Sequence, residues 1–404
     1  MWQLYGMKYD LDEFVTRHPG GKVAILLGKD IDATALFESY HIGKSRARAL
    51  AVAHQYRVSE EISFVPQMSN FKQDLDAMLE EHFSKKSRHA SWFHMLLCFI
   101  LFLLTFYLWI SWAKGDIFST FMLPFVSWLF IVNTSHDASH FAFSKHASVN
   151  FLLMFTSLPL VYNPMTWLYQ HVIAHHTFVN EAEHDVDLQH FAPVRLHKNS
   201  VHSVQPSIAN ILKLFLVGIH LNIGVPLFVA GILPQSIYKS LYQPAIWLPL
   251  GLKGRRIQML SLLGPISTFA YVVTSCIMRG SFCKGVLFAS IPLGIMSILF
   301  VAVTQISHIQ NDAQELKDDD FFKAQVESSV DYSSTSYVVS FLTGGLNTQS
   351  IHHVFPGVAS CHYTKLFPKF RQICKKHDVR LNERTSFGHA LFTTCCYIVL
   401  LNKN

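Results

Sequence analysis

Four long apolar runs constrain the fold of this chain more strongly than any other feature of its sequence. They cover residues of about 91–112, 117–135, 257–278 and 285–307. Each run is close to the roughly 20 residues that a helix needs to cross the hydrocarbon core of a bilayer. Charged residues make up only 15% of the chain, against about 25% in typical soluble domains. The sequence therefore predicts an integral membrane protein with about four transmembrane helices.

Two further apolar segments are expected not to span the membrane. Residues 150–162 are too few to cross it. Residues 208–233 are long enough but are interrupted by polar residues and proline, among them Lys213 and Pro226. If this segment crossed, the histidine cluster near the C-terminus would lie on the opposite side from two earlier clusters. We therefore expect it to lie in the interface or to re-enter.

Three histidine clusters, HDASH, QHVIAHH and QSIHH, stand at the ends of apolar segments. Residues four apart on a helix share a face, so each of the first two clusters points two imidazoles the same way. Imidazole suits iron, zinc and copper, and a set larger than one four-ligand zinc shell indicates two metal ions. The residues of the three clusters that can bind metal are His136, His140, His171, His175, His176, Gln349, His352 and His353.

Residues 1–60 are polar and contain a separate pair of histidines. The motif HPGG begins at His18, and His41 follows after GKDIDATALFESY. This pattern resembles the haem-binding core of cytochrome b5, a small α+β domain. The resemblance implies that His18 and His41 hold the iron of a b-type haem from opposite faces. Such ligation leaves no open position on the iron, which favours electron transfer over oxygen chemistry.

Residues 61–90 are predicted to form an amphipathic surface helix that links the haem domain to the membrane. The N-terminus lacks the apolar core of a signal peptide, so the first domain is expected to stay in the cytosol. The cysteines show no C-x-x-C spacing, and no disulfide framework is expected. The basic residues indicate anchoring at the cytosolic face rather than nucleic-acid binding. These residues are Arg46, Arg48, Lys85, Lys86, Arg88, Lys253, Arg255 and Arg256.

The three boxes, in this order and with this membrane layout, resemble those of the membrane-bound fatty acid desaturases. Gln349 in place of the first histidine of the third box, together with the fused haem domain, is similar to the front-end desaturases. These enzymes insert a double bond between an existing one and the carboxyl end. The stretches HTFVNEAEHDVDL and FLTGGLNTQSIHHVFPG are similar to Δ5 and Δ4 members, and Δ6 or Δ8 activity also fits.

The resemblance implies a di-iron site. Its ligands would be His136, His140, His171, His175, His176, His352 and His353, with Gln349 as a weak ligand. His308 is a further candidate, because a polar ring at the end of the fourth apolar run needs a metal or a hydrogen-bond partner. Asp137, Asp185 and Asp187 are expected to accept hydrogen bonds from the outer ring nitrogens and so to fix the tautomers.

The same resemblance implies the cofactors and partners. They are two non-haem iron ions, haem b and O2 as co-substrate, because removing hydrogen from an unactivated methylene needs an oxidant that side chains cannot supply. Electrons would pass from NADH through cytochrome b5 reductase to the haem. The substrate would be a long-chain polyunsaturated acyl group on CoA or a phospholipid. The expected location is the endoplasmic reticulum membrane, with the haem domain and the active site on its cytosolic face.

The predicted architecture is thus a small α+β haem domain (1–60), an amphipathic linker (61–90) and an all-α integral membrane desaturase domain with a cytosolic cap (91–404). A sphingolipid long-chain-base desaturase or a lipid hydroxylase on the same scaffold remains an alternative. A histidine-rich metal transporter would need polar residues inside the spans, which are almost wholly apolar. A non-catalytic haem carrier would need one anchor and no histidine boxes.

Overall fold

The structure, a computed structural model, describes residues 1–58, 68–182, 184–188, 196–199, 217–234, 255–314 and 320–401. Three features discussed above therefore lie outside the described residues. They are the start of the predicted linker (61–67), the first part of the interrupted apolar segment (208–216) and Lys253, together with the side chains of Arg255 and Arg256.

The N-terminal unit combines a β-hairpin with three helices. Its elements are β1 (Trp2–Leu4), β2 (Met7–Tyr9), α1 (Gly21–Leu26), α2 (Thr34–Tyr40) and α3 (Lys44–His54). The two strands pair antiparallel, with Trp2 opposite Tyr9. Their alternating pattern buries one face of the hairpin, including Trp2, Leu4, Met7 and Tyr9, against Phe37 of α2.

Helix α4 (Asn70–His82) lies within the predicted linker and connects the two parts of the molecule. Phe71 and Leu75, four residues apart, share its buried face and pack into the core of the C-terminal part. On another side, the carboxylate of Asp76 accepts a hydrogen bond of 2.9 Å from the backbone N–H of Gly43. The start of α3 is thereby held against α4.

The rest of the chain is mostly helical. Its helices are α5 (Trp92–Ala113), α6 (Ile117–Ser139), α7 (Ala147–Met154), α8 (Pro164–Trp167), α9 (His176–Phe178), α10 (Val217–Ile219), α11 (Val225–Val229), α12 (Arg255–Ser261), α13 (Leu263–Arg279), α14 (Phe282–Thr304), α15 (Phe321–Glu327), α16 (Tyr337–Thr343), α17 (Gln349–Val354), α18 (Tyr363–Lys376) and α19 (Phe387–Leu401). Strands β3 (Val330–Tyr332) and β4 (Asn382–Arg384) pair in parallel. The π-helical stretches are Leu168–His175 and His220–Gly224. The 3-10 turns are Phe155–Ser157, Val186–Leu188, Asn311–Gln314, Leu346–Thr348 and Ser360–His362.

Among the described residues, four helices are long and apolar enough to cross a membrane: α5, α6, the stretch Ile257–Arg279 that contains α13, and α14. Short connections join α5 to α6 and α13 to α14, so each pair crosses the membrane and returns. The N-terminal unit packs at the end of α6 through Leu27 and Ala138, and His308 after α14 contacts His175 of the second box, so these parts lie on one side of the molecule. These four helices correspond to the four spans that the sequence predicts.

The described part of the interrupted apolar segment, Val217–Val229, is about 20 Å long at 1.5 Å per residue, against a hydrocarbon thickness of about 30 Å. It packs against α14, where the backbone N–H of Gly218 donates a hydrogen bond of 3.0 Å to Oγ of Ser297. The described part alone is therefore shorter than the hydrocarbon core is thick. The sequence reasoning did not single out α19, whose apolar stretch is also shorter than a span.

A glycine turn sets α17 against α6. Gly344 and Gly345, which follow α16, have φ angles of 61° and 80°, in the left-handed region that glycine tolerates. A Cβ atom on Gly344 would lie 2.5 Å from the carbonyl oxygen of Val132 in α6. The absent side chain therefore allows the turn to lie directly on α6. This contact places the third histidine box beside the end of the second span.

The N-terminal unit packs directly on the membrane domain. Gly21 has a φ angle of 88°, and a Cβ atom there would lie 2.5 Å from Cβ of Ala147 in α7. Leu27 joins an apolar cluster with Ala138 of α6 and Met154 of α7. The two parts of the molecule therefore share a core.

Candidate metal centre

Eight buried imidazole rings converge beside the ends of α6 and α14. The potential ligand atoms within each of two sets lie within 4.8 Å of one another. The first set is His136, His140, His171 and His352, and the second set is His175, His308 and His353. His176 lies between the sets: its Nε2 is 3.1 Å from Nε2 of His352, and its ring stacks on that of His353 at 4.4 Å.

The first two boxes reach the centre by different backbone geometries. His136 lies in the last turn of α6 and His140 caps that helix, with 5.0 Å between ring centroids. The second box lies in the π-helical stretch Leu168–His175, where the spacing had predicted an α-helix. A π-helix closes its hydrogen bonds to the fifth residue, so His171 and His176 face nearly the same side. The wider turn thus brings a third ring of this box into the centre.

The third box divides its two adjacent rings between the sets. His352 and His353 lie on α17, with ring centroids 5.6 Å apart and ring planes at 84°. His352 belongs to the first set and His353 to the second. Neighbouring residues on a helix point about 100° apart. Two adjacent histidines can therefore serve two neighbouring metal ions.

Oxygen acceptors fix the tautomers of His308 and His353. Nδ1–H of His308 donates to the carbonyl oxygen of Ser328 at 3.1 Å, and Nδ1–H of His353 donates to Oε1 of Gln325 at 2.8 Å. A carbonyl oxygen can only accept, so each Nδ1 carries the proton and each Nε2 presents a lone pair. Both Nε2 atoms point into the centre and lie 3.1 Å apart.

Three other rings are oriented in the same way. Nδ1 of His175 lies 3.0 Å from a carboxylate oxygen of Asp185, to which it donates its proton. Nδ1 of His352 lies 3.4 Å from the hydroxyl of Tyr363. Nδ1 of His140 lies 2.9 Å from the hydroxyl of Tyr40, in the N-terminal unit. Partners outside the centre thus leave Nε2 of these rings facing inward.

The donor set fits metal ions. Two lone pairs that face each other at 3.1 Å, as those of His308 and His353 do, must be separated by a proton or a cation. Burial lowers the pKa of His308 to about 3 and holds that of His353 well below its ordinary value, which disfavours a proton. In addition, both ring nitrogens of His136 and of His171 are buried without a hydrogen-bond partner. Buried polar atoms rarely remain unpaired, and a metal cation would account for the facing lone pairs and for one nitrogen of each of these two rings.

The three aspartates predicted to support the rings have different partners. Asp185 accepts from His175 and also from the backbone N–H of Asn180 and Asp187. Asp187 lies 3.7 Å from Nδ1 of His175. The two carboxylates outweigh the effect of burial and raise the pKa of His175 to about 9.

Asp137 does not have the imidazole partner that the sequence predicted for it. Its carboxylate accepts hydrogen bonds from the backbone N–H and the hydroxyl of Ser360, at 3.1 and 3.0 Å, rather than from an imidazole. The α6 helix points Asp137 away from the histidines that flank it, toward the segment after the third box. Asp137 therefore joins α6 to that segment and does not orient a ring.

Gln349 lies at the edge of the second set. Its amide nitrogen is 2.9 Å from Nε2 of His308, while its Oε1 is buried without a partner. The side chain is almost fully buried, as are His308 and His353. The amide is therefore within reach of any cation that these two rings hold.

The histidine pair of the N-terminal unit forms a second candidate site. The rings of His18 and His41 have centroids 6.3 Å apart. Nδ1–H of His18 donates to the carbonyl oxygen of Gly21 at 3.2 Å, and Nδ1–H of His41 donates to that of Phe37 at 3.0 Å. Burial lowers the pKa of both rings, that of His41 to about 4. Neutral rings with their Nε2 lone pairs free are suited to ligate haem iron.

Sequence reasoning did not identify four residues that orient the rings: Tyr40, Gln325, Ser328 and Tyr363. Gln325 and Ser328 lie in residues 322–332, FKAQVESSVDY, where the several polar residues shortly before the third box are a signal of a supporting role. Tyr40 offered no such signal, because it precedes His41 in the N-terminal unit and meets His140 only in the folded molecule.

Comparisons with known proteins agree with this geometry. The fatty acid desaturase family model matches residues 117–385, and the model of the cytochrome b5-like heme/steroid binding domain matches residues 3–83. An acyl-lipid omega-13 desaturase of Chlamydomonas reinhardtii is 29% identical, covering 100% of this chain and 93% of that protein. An acyl-lipid (8-3)-desaturase of Mortierella alpina is 27% identical, covering 95% and 90%. The Delta(5) fatty acid desaturase A of Dictyostelium discoideum is 24% identical, covering 99% and 90%. No solved structure matches the chain.

The family match covers most of the chain and all three histidine boxes. The predicted order, a haem-binding domain followed by a helical membrane domain, is confirmed. Four apolar helices and buried histidine sets are features of a membrane enzyme that handles lipid by metal chemistry. This chain belongs to the fatty acid desaturase family and is an oxidoreductase with a fused cytochrome b5-like domain.

Proposed function

We propose that the enzyme is a front-end desaturase that introduces a cis double bond at Δ5 of a long-chain polyunsaturated acyl group, with Δ4 as the next candidate and Δ6 or Δ8 after it. Gln349 in the third box and the fused haem-binding domain support a front-end reaction. Relatives named as Delta(5) and (8-3)-desaturases support an acyl-lipid substrate and the Δ5 position.

Two iron ions would occupy the histidine sets. The observation that carries this proposal is the pair of Nε2 lone pairs of His308 and His353, which face each other at 3.1 Å in a buried site. His136, His140, His171 and His352 would hold one ion, and His175, His308 and His353 the other, with His176 between them. Gln349 would be a weak ligand when its amide turns Oε1 inward.

The protein residues around these rings orient and shield the site. Asp185, Gln325, Ser328 and Tyr363 hold the outer nitrogen of one ring each, which turns the Nε2 of each of these four rings toward the centre. All eight rings are buried, so water is excluded from the reacting groups. When bound, iron would activate O2, so that one O2, two electrons and two protons remove two hydrogens from adjacent methylenes and leave two waters.

Electrons would reach the site from a b-type haem held by His18 and His41. The neutral state of both rings and the direction of their Nε2 atoms support this role. The haem would be reduced one electron at a time by a flavin-linked reductase that uses NADH, the cytochrome b5 reductase expected from the sequence. The substrate acyl chain would be carried on CoA or on a phospholipid.

We propose that the protein lies in the endoplasmic reticulum membrane, with the haem domain and the metal centre on the cytosolic face. The two returning pairs of spans support a common side for both sites. We further propose a division into a haem domain of residues 1–60, a linker of residues 61–90 and a desaturase domain of residues 91–404. Helix α4 of the linker contacts both neighbours, which supports a connecting role.

Product analysis can test the position of the new bond. On an 18-carbon chain, a bond counted as omega-13 from the methyl end is also Δ5, since 18 − 13 = 5. On a 20-carbon chain the two rules separate, because omega-13 then means Δ7. We would express the protein in yeast and supply an 18-carbon acid unsaturated at Δ9 and Δ12 and a 20-carbon acid unsaturated at Δ11 and Δ14.

We expect a new Δ5 bond in both acids. A Δ7 bond in the longer acid would show that the enzyme counts from the methyl end. A new bond on the methyl side of the existing bonds would reject the front-end proposal. A desaturated long-chain base with no new fatty acid would favour a sphingolipid substrate. The His352→Ala variant, which lacks a ring of the first set, is the inactive control.

A further inference from the structure

The haem-binding domain reaches the metal centre through the side chain of Tyr40. This residue is the last of α2 and directly precedes His41. Its hydroxyl lies 2.9 Å from Nδ1 of His140, one hundred residues further along the chain. A ligand of the proposed haem and a ligand of the first histidine set are therefore connected through a single tyrosine.

The hydrogen bond has a defined direction. Nε2 of His140 is buried without a hydrogen-bond partner and belongs to the first set, so it presents its lone pair to the metal. Nδ1 then carries the proton and donates it to the phenol oxygen of Tyr40. An outer hydrogen bond of this kind fixes the rotation of a ligand ring and increases its basicity.

Packing around Tyr40 keeps this contact in place. Its ring lies edge-on to that of Phe141, with 6.3 Å between centroids. A Cβ atom on Gly357 would lie 3.1 Å from Cδ1 of Tyr40, so the backbone after the third box rests directly on the ring. Tyr40 also joins the apolar cluster that contains Leu27 and Ala138. The contact thus belongs to the core that the two domains share.

The path from His41 to His140 contains one non-covalent step. His41 and Tyr40 are linked through the backbone, and the tyrosine side chain extends from there to the hydrogen bond of 2.9 Å. Electrons tunnel faster through covalent and hydrogen bonds than across gaps of the same length. The geometry therefore provides a short bonded route between the two sites.

We propose that Tyr40 is a positioning residue that orients His140 and carries the electron route from the haem to the metal centre, a proposal that rests on the function proposed above. With both groups bound, each transfer would move one electron, oxidising a ferrous haem held by His18 and His41 to the ferric state and reducing one ferric ion held by the histidine sets to the ferrous state. The proposed reductase that uses NADH would then reduce the haem again.

The test removes only the hydroxyl. Full-length Tyr40→Phe, loaded with haem and iron, is prepared anaerobically with its haem chemically reduced and its non-haem iron ferric. Haem oxidation is followed by absorbance, without substrate or O2. We expect the rate to fall about 10- to 100-fold, the range found when an outer hydrogen bond to a ligand is lost, while the haem spectrum and midpoint potential do not change.

Tyr56→Phe is the matched control, because that hydroxyl lies in the same domain and accepts a hydrogen bond of 2.7 Å from Arg17. It should transfer electrons at the wild-type rate. A wild-type rate in Tyr40→Phe, calculated per iron-loaded molecule, would overturn the proposal. So would an equal loss in both variants. Because the measurement needs no acyl chain, a failure to form unsaturated product would count against the proposed function and not against this route.

Discussion

At the scale of single residues, five of the clustered histidines donate Nδ1–H to neighbours of four different kinds. The acceptors are a carboxylate, a backbone carbonyl, a side-chain amide and two phenols. The spacing of the histidine boxes predicts which rings can meet a metal. It cannot predict the acceptors, since Gln325 lies 28 residues from its ring and Tyr40 lies 100 residues from His140. Hydrogen bonds between distant segments leave no periodic pattern in a sequence.

Removing the acceptor of one ring should weaken the binding of iron. In Gln325→Leu the Nδ1–H of His353 loses its partner, and the ring is free to turn. We expect the affinity for non-haem iron to fall about 10- to 100-fold, measured as iron retained after dialysis against a chelator. Gln73→Leu, on the exposed face of α4, is the control. Equal iron retention in the two variants would show that Gln325 does not support the site.

Gln349 allows a test of the third box itself. Gln349→His should retain iron, because imidazole is a stronger ligand than an amide, whereas Gln349→Ile can neither ligate nor form a hydrogen bond and should lose most activity. Product formation is measured at equal protein level. Wild-type activity in Gln349→Ile would mean that this side chain serves in packing alone. The unpartnered Oε1 of Gln349 supports a role in the metal site, and therefore a loss of activity in Gln349→Ile.

The elements that build the site differ in how well the sequence predicts them. The four spans follow from length and apolar composition, and they could be predicted to within a few residues. The π-helical form of Leu168–His175 could not, because apolar spacing does not reveal which backbone groups pair. Helix α17 is held in place by a hydrogen-bonded carboxylate. The buried carboxylate of Asp331 accepts hydrogen bonds from the backbone N–H and hydroxyl of Ser350, at 3.0 and 2.5 Å.

Asp331 should make stability depend on pH. Burial raises the pKa of its carboxyl to about 7 in the folded protein, from an ordinary value of 3.8. Between these two values the folded state binds more protons than the unfolded state, so this group lowers stability as the pH rises. Asp331→Asn cannot ionise. We expect its melting temperature, relative to wild type, to increase from pH 4 to pH 7.

Thermal unfolding in detergent at several pH values measures this effect. Glu383→Gln is a control for the loss of a nearby charge, since Glu383 raises the pKa of Asp331. A difference between Asp331→Asn and wild type that stays constant with pH would show that Asp331 does not titrate in this range. A melting temperature that falls relative to wild type as the pH rises would contradict the expected sign.

At the scale of the whole molecule, the histidine pair of the N-terminal unit and the metal centre share no residue. The His41→Ala variant should therefore abolish haem binding and leave the metal centre intact. The low-spin haem spectrum and nearly all turnover should disappear, while non-haem iron, held by other residues, should stay bound. Absorbance, metal analysis and product formation measure the three properties.

His54→Ala is the control for this variant, because His54 is exposed at the end of α3 in the same domain. It should preserve both the spectrum and the turnover. Normal desaturation by His41→Ala would show that a separate electron donor replaces the fused domain.

The close fit of Gly21 against Ala147, and the apolar cluster that both domains enter, also determine how the enzyme responds to its surroundings. A donor seated permanently beside its acceptor has a fixed effective concentration, whatever the number of molecules in the membrane. The transfer of electrons from the haem-binding domain to the metal centre should then be insensitive to dilution in lipid. A soluble haem protein added in excess would find its docking surface already covered, so it could supply electrons only by exchange with the resident haem.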